Sequence, residues 1–382
     1  MKRYPGLDLL RAIAILWVLL FHGMTEGLGS PFPTIGKLGW MGVDLFFVLS
    51  GYLIGSQLLK EYAAGQTPAI RSFYLRRAFR ILPTYWLVMA FYYFVPTFRE
   101  AQCLQPSWQF LTFTENFLID YQHNRAFSHA WSLCVEEHFY LFFPLLVWVL
   151  MRRPSWKSTA AVCATIFAAG IILRGYVWQQ YVGIPNHRQN AYVELIYYPT
   201  IMRLDGLLAG VVLASIRWLR PVLWQKAMDN PYRLLAMGIG GTAAAIWVAK
   251  ERTDFCASVF GFPMLAVSLA LIVAACVSTK CFLGKVRIPG AELIATVTFS
   301  LYLSHKMTWH IIRSYWPEFV KAGGFHAFCV YAGAAFLVGT ALYFLIERPF
   351  LLLRQSNWIT SFDVPLRSSR SVESTAPVRT QV

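Results

Sequence analysis

Residues 5–22 read PGLDLLRAIAILWVLLFH, an apolar stretch that also carries three ionisable side chains, Asp8, Arg11 and His22. An ionisable group in hydrocarbon costs at least ~2.5 kcal/mol, so it normally faces a polar interior. Arg11 and His22 are eleven residues apart, close to three helical turns, so we expect them on one helix face, roughly 16 Å apart along the axis. Asp8 precedes Arg11 by one turn and can pair with it. The stretch predicts a first membrane helix with a cation near one surface and an imidazole near the other. Side chains that only reach the interfaces would give the same pattern.

The composition is that of a multi-span membrane protein. Of 382 residues, 57% are hydrophobic and 14% are charged, and the mean hydropathy is +0.48. Lys2 and Arg3 before the apolar run resemble the start of a signal peptide. However, Asp8 and Arg11 interrupt that run and no small-residue cleavage site follows His22, so we expect the first span to be retained.

A scan for apolar windows of about 20 residues predicts an all-α membrane bundle with ten spans. The windows are 7–24, 40–59, 77–96, 131–150, 158–177, 196–216, 233–249, 256–276, 291–313 and 326–346. Short loops join them, apart from a longer segment at 97–130. We expect residues 1–350 to form the membrane domain and residues 351–382, rich in Ser, Thr, Pro and Arg, to be a disordered cytoplasmic tail.

The distribution of Lys and Arg predicts that both termini are cytoplasmic. With that orientation, cytoplasmic segments hold 22 of these residues and the other side holds ten. Most of the net charge of +15 therefore lies in the cytoplasmic segments, where basic residues set the topology and contact anionic lipids. We expect no nucleic-acid partner. The seven cysteines include no CxxC pair and no zinc-type spacing with histidine, so we expect packing roles and no metal.

An arginine cluster lies in RSFYLRRAFRILPTYW, residues 71–86. Arg77 and Arg80 are one turn apart at the cytoplasmic start of the third span, and Arg11 enters the membrane on the same side. Two guanidinium groups with this spacing form a fork suited to phosphate. The positive-inside rule alone would also place arginines here.

Two adjacent carboxylates, Glu136 and Glu137, lie in HAWSLCVEEHFYLFFPLL, residues 129–146. They fall less than two turns from the outer end of the fourth span, where topology does not require charge. Ser132, Glu136 and Tyr140 follow at i, i+4 and i+8, which places a polar stripe on one face. The alternative is a structural salt bridge, for which Arg203 is the candidate partner.

Further polar residues occur in three other predicted spans. Asp44 in GWMGVDLFFVLSGYLIG either caps the second span or belongs to a site. Arg203 and Asp205 in IMRLDGLLAG are two residues apart and so are expected to pair with other helices. In TFSLYLSHKMTW, Tyr302 and His305 lie in the outer half of a span that runs outward, and His305 is either a site residue or an interfacial one.

Taken in order, these motifs resemble the integral-membrane acyltransferase 3 family. The resemblance runs from about Tyr4 to Phe350, and it rests on the ordered set of motifs. The matching motifs are GLDLLRAIAILWVLLFH, GVDLFFVLSGYLI, RRAFRILPTYW, HAWSLCVEEHFYLFFP, RLDGLLAG, FSLYLSH and ERPF. Cys134 and His138 occupy positions at which many members of the family have Ser and Gln. Some relatives carry an extra esterase-like domain, which we do not expect here.

The resemblance implies a ten-helix bundle in the bacterial inner membrane that moves acyl groups, usually acetyl, from cytoplasmic acyl-CoA to hydroxyls of extracytoplasmic glycans or glycolipids. Its arginine-x10-histidine signature falls on Arg11 and His22. Its arginine fork falls on Arg77 and Arg80, and its glutamate pair on Glu136 and Glu137.

The resulting hypothesis is transmembrane O-acyl transfer. Arg11, Arg77 and Arg80 would hold the phosphates of acyl-CoA, and His22 would act as a general base or a transient acyl carrier. Glu136 or Glu137 would orient the imidazole. Further candidates for the catalytic site are Asp44, Tyr302 and His305. The competing hypothesis is a transporter or flippase, since paired intramembrane charges also mark transport pathways, but paired half-repeats are not evident. A scaffold for glycan synthesis would need none of these charges.

Overall fold

The computed structural model describes residues 4–28, 32–152, 156–184, 188–318 and 324–354, and these residues form an all-α fold. The longer helices, in chain order, are α1 (Pro5–Thr25), α2 (Met41–Ala63), α3 (Ile70–Phe94), α4 (Trp131–Met151), α5 (Trp156–Val177), α6 (Asp205–Leu219), α7 (Pro221–Asp229), α8 (Pro231–Val248), α9 (Phe262–Val277), α10 (Ala291–Tyr315) and α11 (Gly324–Leu342). Within the described ranges, extended pairing is limited to one bridge, between Leu104 and Ala126. The predicted tail lies almost entirely outside the described residues.

Within the described part of the chain, six helical segments are long and apolar enough to cross a membrane. They begin at residues 5, 41, 128, 157, 257 and 324, and α6 with α7 would add a seventh if this pair, bent by 106°, forms one span. Each of the ten predicted windows overlaps a helix, but the remaining helices do not meet both requirements. The described residues thus contain six or seven candidate membrane spans, whereas the count of ten spans and the orientation of the termini remain predictions.

The sixth predicted window starts too early. Residues 193–202 form a π-helical turn and a 3₁₀ turn, and α6 begins only at Asp205. Pro199 lacks a backbone N–H and adopts an extended conformation, which separates the two turns. Arg203 consequently lies just before the helix rather than inside it.

Helices α2 and α6 cross at very close range. A Cβ added at Gly51 would overlap the main-chain oxygen of Leu207, and one added at Gly210 would overlap that of Val48. Only glycine lets the two backbones approach this closely. The crossing fixes the start of α6 against α2, which positions Arg203 beside Asp44.

Helices α1 and α10 run in the same direction. Arg11 near the start of α1 shares a cavity with Thr298 of α10, and His22 near its end contacts His305. Helix α2 runs the other way: a Cβ on Gly39, just before α2, would meet Trp17 of α1, and one on Gly42 would meet Ala14, so the contacts move back along α1 as α2 advances. The parallel arrangement of α1 and α10 brings His22 and His305 to the same end of the bundle.

Candidate functional site

A cavity of about 580 Å³ lies among α1, α2, α3, α4 and α10. Three predicted phosphate ligands line it, and sequence reasoning missed a fourth arginine. These residues are Arg11, Arg77, Arg80 and Arg354. Tyr4 also lines the cavity, whereas Ser132 and Tyr302 line it near the histidine end of α10. The chain therefore builds one elongated cavity that is basic at one end and hydroxyl-lined at the other.

Two arginines are held in place by residues of the cavity wall. Arg11 donates to Asp8 Oδ1 at 3.2 Å, as the spacing of one turn predicts. The guanidinium of Arg77 stacks over the ring of Tyr140, with its central carbon 4.9 Å from the ring centroid. Stacking orients the planar guanidinium while leaving its N–H edges free to approach phosphate oxygens.

Glu136 belongs to the arginine end of the site. Ser50 Oγ donates to its Oε1 at 2.8 Å, and Tyr140 OH donates to its Oε2 at 2.7 Å. The carboxylate lines the same cavity as Arg77, while Glu137 is not among the lining residues. The sequence hypothesis placed one of these glutamates against His22, but the partners of Glu136 are on α2 and α4. Tyr140 contacts both Glu136 and Arg77, which places this carboxylate near the arginine fork.

His22 is instead paired with His305. His22 Nδ1 lies 2.8 Å from His305 Nε2, and the rings are stacked with centroids 4.9 Å apart. His305 Nδ1 donates to the main-chain oxygen of Tyr302 at 2.7 Å, because a carbonyl only accepts. With both rings neutral, His305 Nε2 must accept and His22 Nδ1 must donate. His22 Nε2 then keeps its lone pair, which is the arrangement of a general base.

His129 and Lys306 complete this end of the site, and sequence reasoning missed both. His129 is buried, donates from Nε2 to the Leu303 oxygen at 3.2 Å, and its ring centroid lies 5.2 Å from that of His305. Lys306 forms an ion pair with Glu26 at 3.1 Å. The available signals were a histidine at the start of the glutamate motif and a lysine directly after His305 in an apolar run.

Tyr302 lies between the cavity and the histidines. Its hydroxyl donates to the main-chain oxygen of His129 at 2.7 Å and lies 2.7 Å from Ser132 Oγ. Since its own hydrogen is used on the carbonyl, the tyrosine oxygen accepts from Ser132. Hydrogen bonds thus connect α4 to α10 at the end of the cavity.

Asp44 and Arg203 form a buried ion pair. Arg203 Nη2 lies 2.8 Å from Asp44 Oδ1, and the guanidinium packs against aromatic rings including Phe262 and Tyr197. Asp205 separately pairs with Arg174 at 2.7 Å. The prediction that Arg203 and Asp205 pair with other helices is confirmed. The suggested bridge from Arg203 to the glutamates is wrong, because Asp44 occupies that position.

Metal ligands and the two residues that differ from many relatives, Cys134 and His138, are the remaining features of the site. Among the residues that the structure describes, no group of three or more His, Cys, Asp or Glu side chains is arranged to hold a metal ion. Cys134 is buried, and His138 Nδ1 lies 2.7 Å from Thr200 Oγ1. Neither residue lines the arginine-lined cavity.

Comparison with known proteins identifies the family of the chain. Residues 4–344 match the sequence profile of a family described as an acyltransferase domain. O-acetyltransferase OatA of Staphylococcus aureus strain NCTC 8325 is 28% identical over 335 residues, covering 82% of this chain and 52% of OatA. A protein of strain MRSA252 with a provisional O-acetyltransferase name is 25% identical over 388 residues, covering 95% of this chain and 60% of that protein. The chain thus spans little more than half the length of these relatives. No solved structure matches it significantly.

Proposed function

The chain belongs to the acyltransferase 3 family, and from that premise we propose that it transfers an acyl group from cytoplasmic acyl-CoA to a hydroxyl on the other side of the membrane. The acyl group is acetyl and the acceptor is a glycan or glycolipid. The O-acetyltransferase names of the relatives support the choice of acetyl and of a hydroxyl acceptor. A bacterial inner membrane is the corresponding location.

The single observation that carries this proposal is the elongated cavity with arginines at one end and the Tyr302 contact to the histidine pair at the other. Acyl-CoA has the same polarity, with phosphates at one end of a narrow arm and a thioester at the other. We assign its phosphates to Arg11, Arg77, Arg80 and Arg354. Glu136, with both oxygens bonded to Ser50 and Tyr140, holds the wall beside Arg77.

The proposed chemistry takes place at His22. Its Nε2 accepts the proton of the acceptor hydroxyl while the hydroxyl oxygen forms a bond to the thioester carbon. The C–S bond then breaks, and the imidazolium returns the proton to the thiolate, so that an ester and CoA leave. His305 acts as a positioning residue, because its hydrogen bond holds the His22 tautomer in which Nε2 is free. The ion pair to Arg203 gives Asp44 a structural role in this scheme.

The test is transfer of labelled acetyl from acetyl-CoA to surface glycans, followed by mass spectrometry of the products. His22→Ala should lower the rate by ~10²–10⁴-fold, the usual contribution of a general base. His305→Gln should lose less activity than His305→Leu, since its amide oxygen can still accept from His22 Nδ1. Exposed His123 provides the matched control, and His123→Ala should transfer normally. A loss below tenfold in His22→Ala would remove the base from the mechanism.

The acyl-carrier route is distinguished by the same variants. If His22 carries the acyl group, incubation with donor alone should leave an acetylated enzyme that His22→Ala does not form. Base catalysis predicts no such adduct. Either result retains the assignment of His22, and the two differ in whether the acyl group stops on the protein.

A further inference from the structure

The arginine-lined cavity ends before it reaches the histidine pair. Its walls include Ser132 and Tyr302, but among the described residues none of His22, His129 and His305 lines it. An acyl group delivered through this cavity therefore arrives on the opposite side of Tyr302 from His22. Some group has to move before the two can meet.

Tyr302 is held in this position by contacts on both sides. Its hydroxyl is bonded to Ser132, which lines the cavity, and to the main-chain oxygen of His129, which does not. Toward the histidines, its main-chain oxygen accepts from His305 Nδ1. The hydroxyl bonds can break by rotation of the side chain, while the main-chain bond that fixes the tautomer stays in place.

The three histidines also differ in how much of each residue is exposed. His305 is 0% exposed and His129 is 2% exposed, whereas His22 is partly exposed at the end of α1. Because His22 does not line the arginine-lined cavity, its exposed surface lies outside that cavity. In the proposed function, the donor would reach Tyr302 and its partners from the cavity, and the acceptor would reach His22 from outside it.

We propose that Tyr302, tied to Ser132 and to the oxygen of His129, is a closed partition between the donor cavity and His22. The acyl group reaches His22 only when the Tyr302 hydroxyl gives up these two bonds. A thioester carbonyl arriving there offers the hydroxyl a replacement acceptor, so the arriving substrate itself favours the opening. The identity of the acyl thioester rests on the proposed function, whereas the partition is a statement about geometry.

The consequence is that water and small solutes do not pass from the side of His22 into the donor cavity while the partition is closed. Such a barrier protects a thioester from hydrolysis before an acceptor is bound. It also prevents the donor cavity from becoming a continuous path for water and solutes across the membrane.

The experiment measures access to a cysteine in the cavity and uses no acyl donor. Leu53→Cys, in the cavity wall, is introduced into a chain whose native cysteines are replaced by Ala or Ser. A small charged methanethiosulfonate reagent is added to sealed vesicles of either orientation. Two exposed positions identify the two sides of the membrane. They are Ala64→Cys, directly after α2, and Thr25→Cys, at the end of the antiparallel helix α1.

We expect Leu53→Cys to react from the Ala64 side and at least tenfold more slowly from the Thr25 side. Adding Tyr302→Ala should raise the second rate at least tenfold, and Tyr302→Phe should raise it less, because the ring remains but its hydroxyl bonds are lost. The matched control is Tyr331→Ala, a buried tyrosine of α11 that does not line the cavity, and it should leave the rate unchanged.

Equal reaction of Leu53→Cys from both sides, or a Tyr302→Ala rate no higher than that of Tyr331→Ala, would overturn the partition. Unchanged labelling from the Ala64 side shows that each variant is folded. A separate assay of acetyl-CoA hydrolysis without acceptor tests the function: Tyr302→Ala should accelerate it. If the labelling changes as expected but the protein neither transfers nor hydrolyses acetyl-CoA, the partition stands and the acyltransferase assignment fails.

Discussion

The roles of individual charged side chains in this protein depend on the group that each one faces. Glu136 has both oxygens occupied by hydroxyl donors and shares a cavity with arginines. Asp44 forms an ion pair with Arg203. His22 is left with a neutral partner, His305, which fixes a tautomer without adding a charge. A neutral partner of this kind orients the base but stabilises an imidazolium less than a carboxylate would.

Removal of one arginine from the cavity should weaken donor binding. Arg77→Ala deletes a charge-assisted contact to phosphate worth ~1.5–3 kcal/mol, or roughly ten- to a hundredfold in the Kd for acetyl-CoA. Arg77→Lys should recover only part of this affinity, because an ammonium lacks the planar fork and the stack on Tyr140. Isothermal titration of the detergent-solubilised protein measures the change.

Arg71 provides the control for that measurement. It is an exposed arginine at the start of the same helix and does not line the cavity, so Arg71→Ala should bind acetyl-CoA like the unchanged protein. Wild-type affinity in Arg77→Ala would show that the fork does not hold phosphate.

Glu115, in the segment between α3 and α4, has a buried carboxyl group whose ionised form should lower the free energy of unfolding. Its side chain is 0% exposed and neither carboxylate oxygen has a hydrogen-bond partner. Burial raises the pKa of Glu115 well above its ordinary value. A raised pKa in the folded state means that stability is greatest below the unfolded pKa and decreases as pH rises toward the folded pKa.

Glu115→Gln should therefore stabilise the protein at neutral pH, by about 1–3 kcal/mol, and the gain should shrink toward pH 4.5. Thermal unfolding between pH 4.5 and 8 measures this difference. Glu194→Gln is the comparison, because Glu194 Oε1 accepts a hydrogen bond from the backbone N–H of Tyr121 and its loss should not stabilise. A constant difference between Glu115→Gln and the unchanged protein across this range would mean that Glu115 does not titrate there.

At the scale of elements, the crossing of α2 and α6 controls where the buried ion pair forms. Gly51→Ala and Gly210→Ala each place a methyl group against a main-chain oxygen of the other helix. Overpacking of this kind typically costs about 1–3 kcal/mol, and here it would also separate Asp44 from Arg203. Both variants should show a lower unfolding temperature in detergent.

The same substitution in α11 is the control for helix propensity. A Cβ at Gly333 meets no atom within 4 Å, so Gly333→Ala should be neutral or slightly stabilising. If Gly51→Ala matched Gly333→Ala in stability, the close approach of the two helices would not matter.

At the scale of the whole molecule, the proposed direction of transfer depends on orientation in the membrane. The ratio of 22 to ten for Lys and Arg predicts that the Arg11 end of the cavity faces the cytoplasm. Reporter fusions at Gln66 and Lys226 should then read cytoplasmic, and a fusion at Gln105 should read external. A cytoplasmic reading at Gln105 would reverse the direction of transfer or change the number of spans.

The sequence by itself determined the features that depend on neighbouring residues. The apolar run of α1, the pairing of Asp8 with Arg11 and the spacing of Arg77 and Arg80 are local, because hydropathy and helical periodicity act within a few turns. The fold class follows from the same local signals. They also indicated that Arg203 and Asp205 would have to find partners on other helices.

Only the tertiary structure decided which polar groups meet. His22 and His305 are 283 residues apart in the chain, and Asp44 and Arg203 are 159 apart. Their pairing depends on the order and direction of helices around the bundle, and an apolar helix surface carries little information about which neighbour it will face. For the same reason the sequence could not show that Glu136 faces the arginines, or that Tyr302 stands between them and His22.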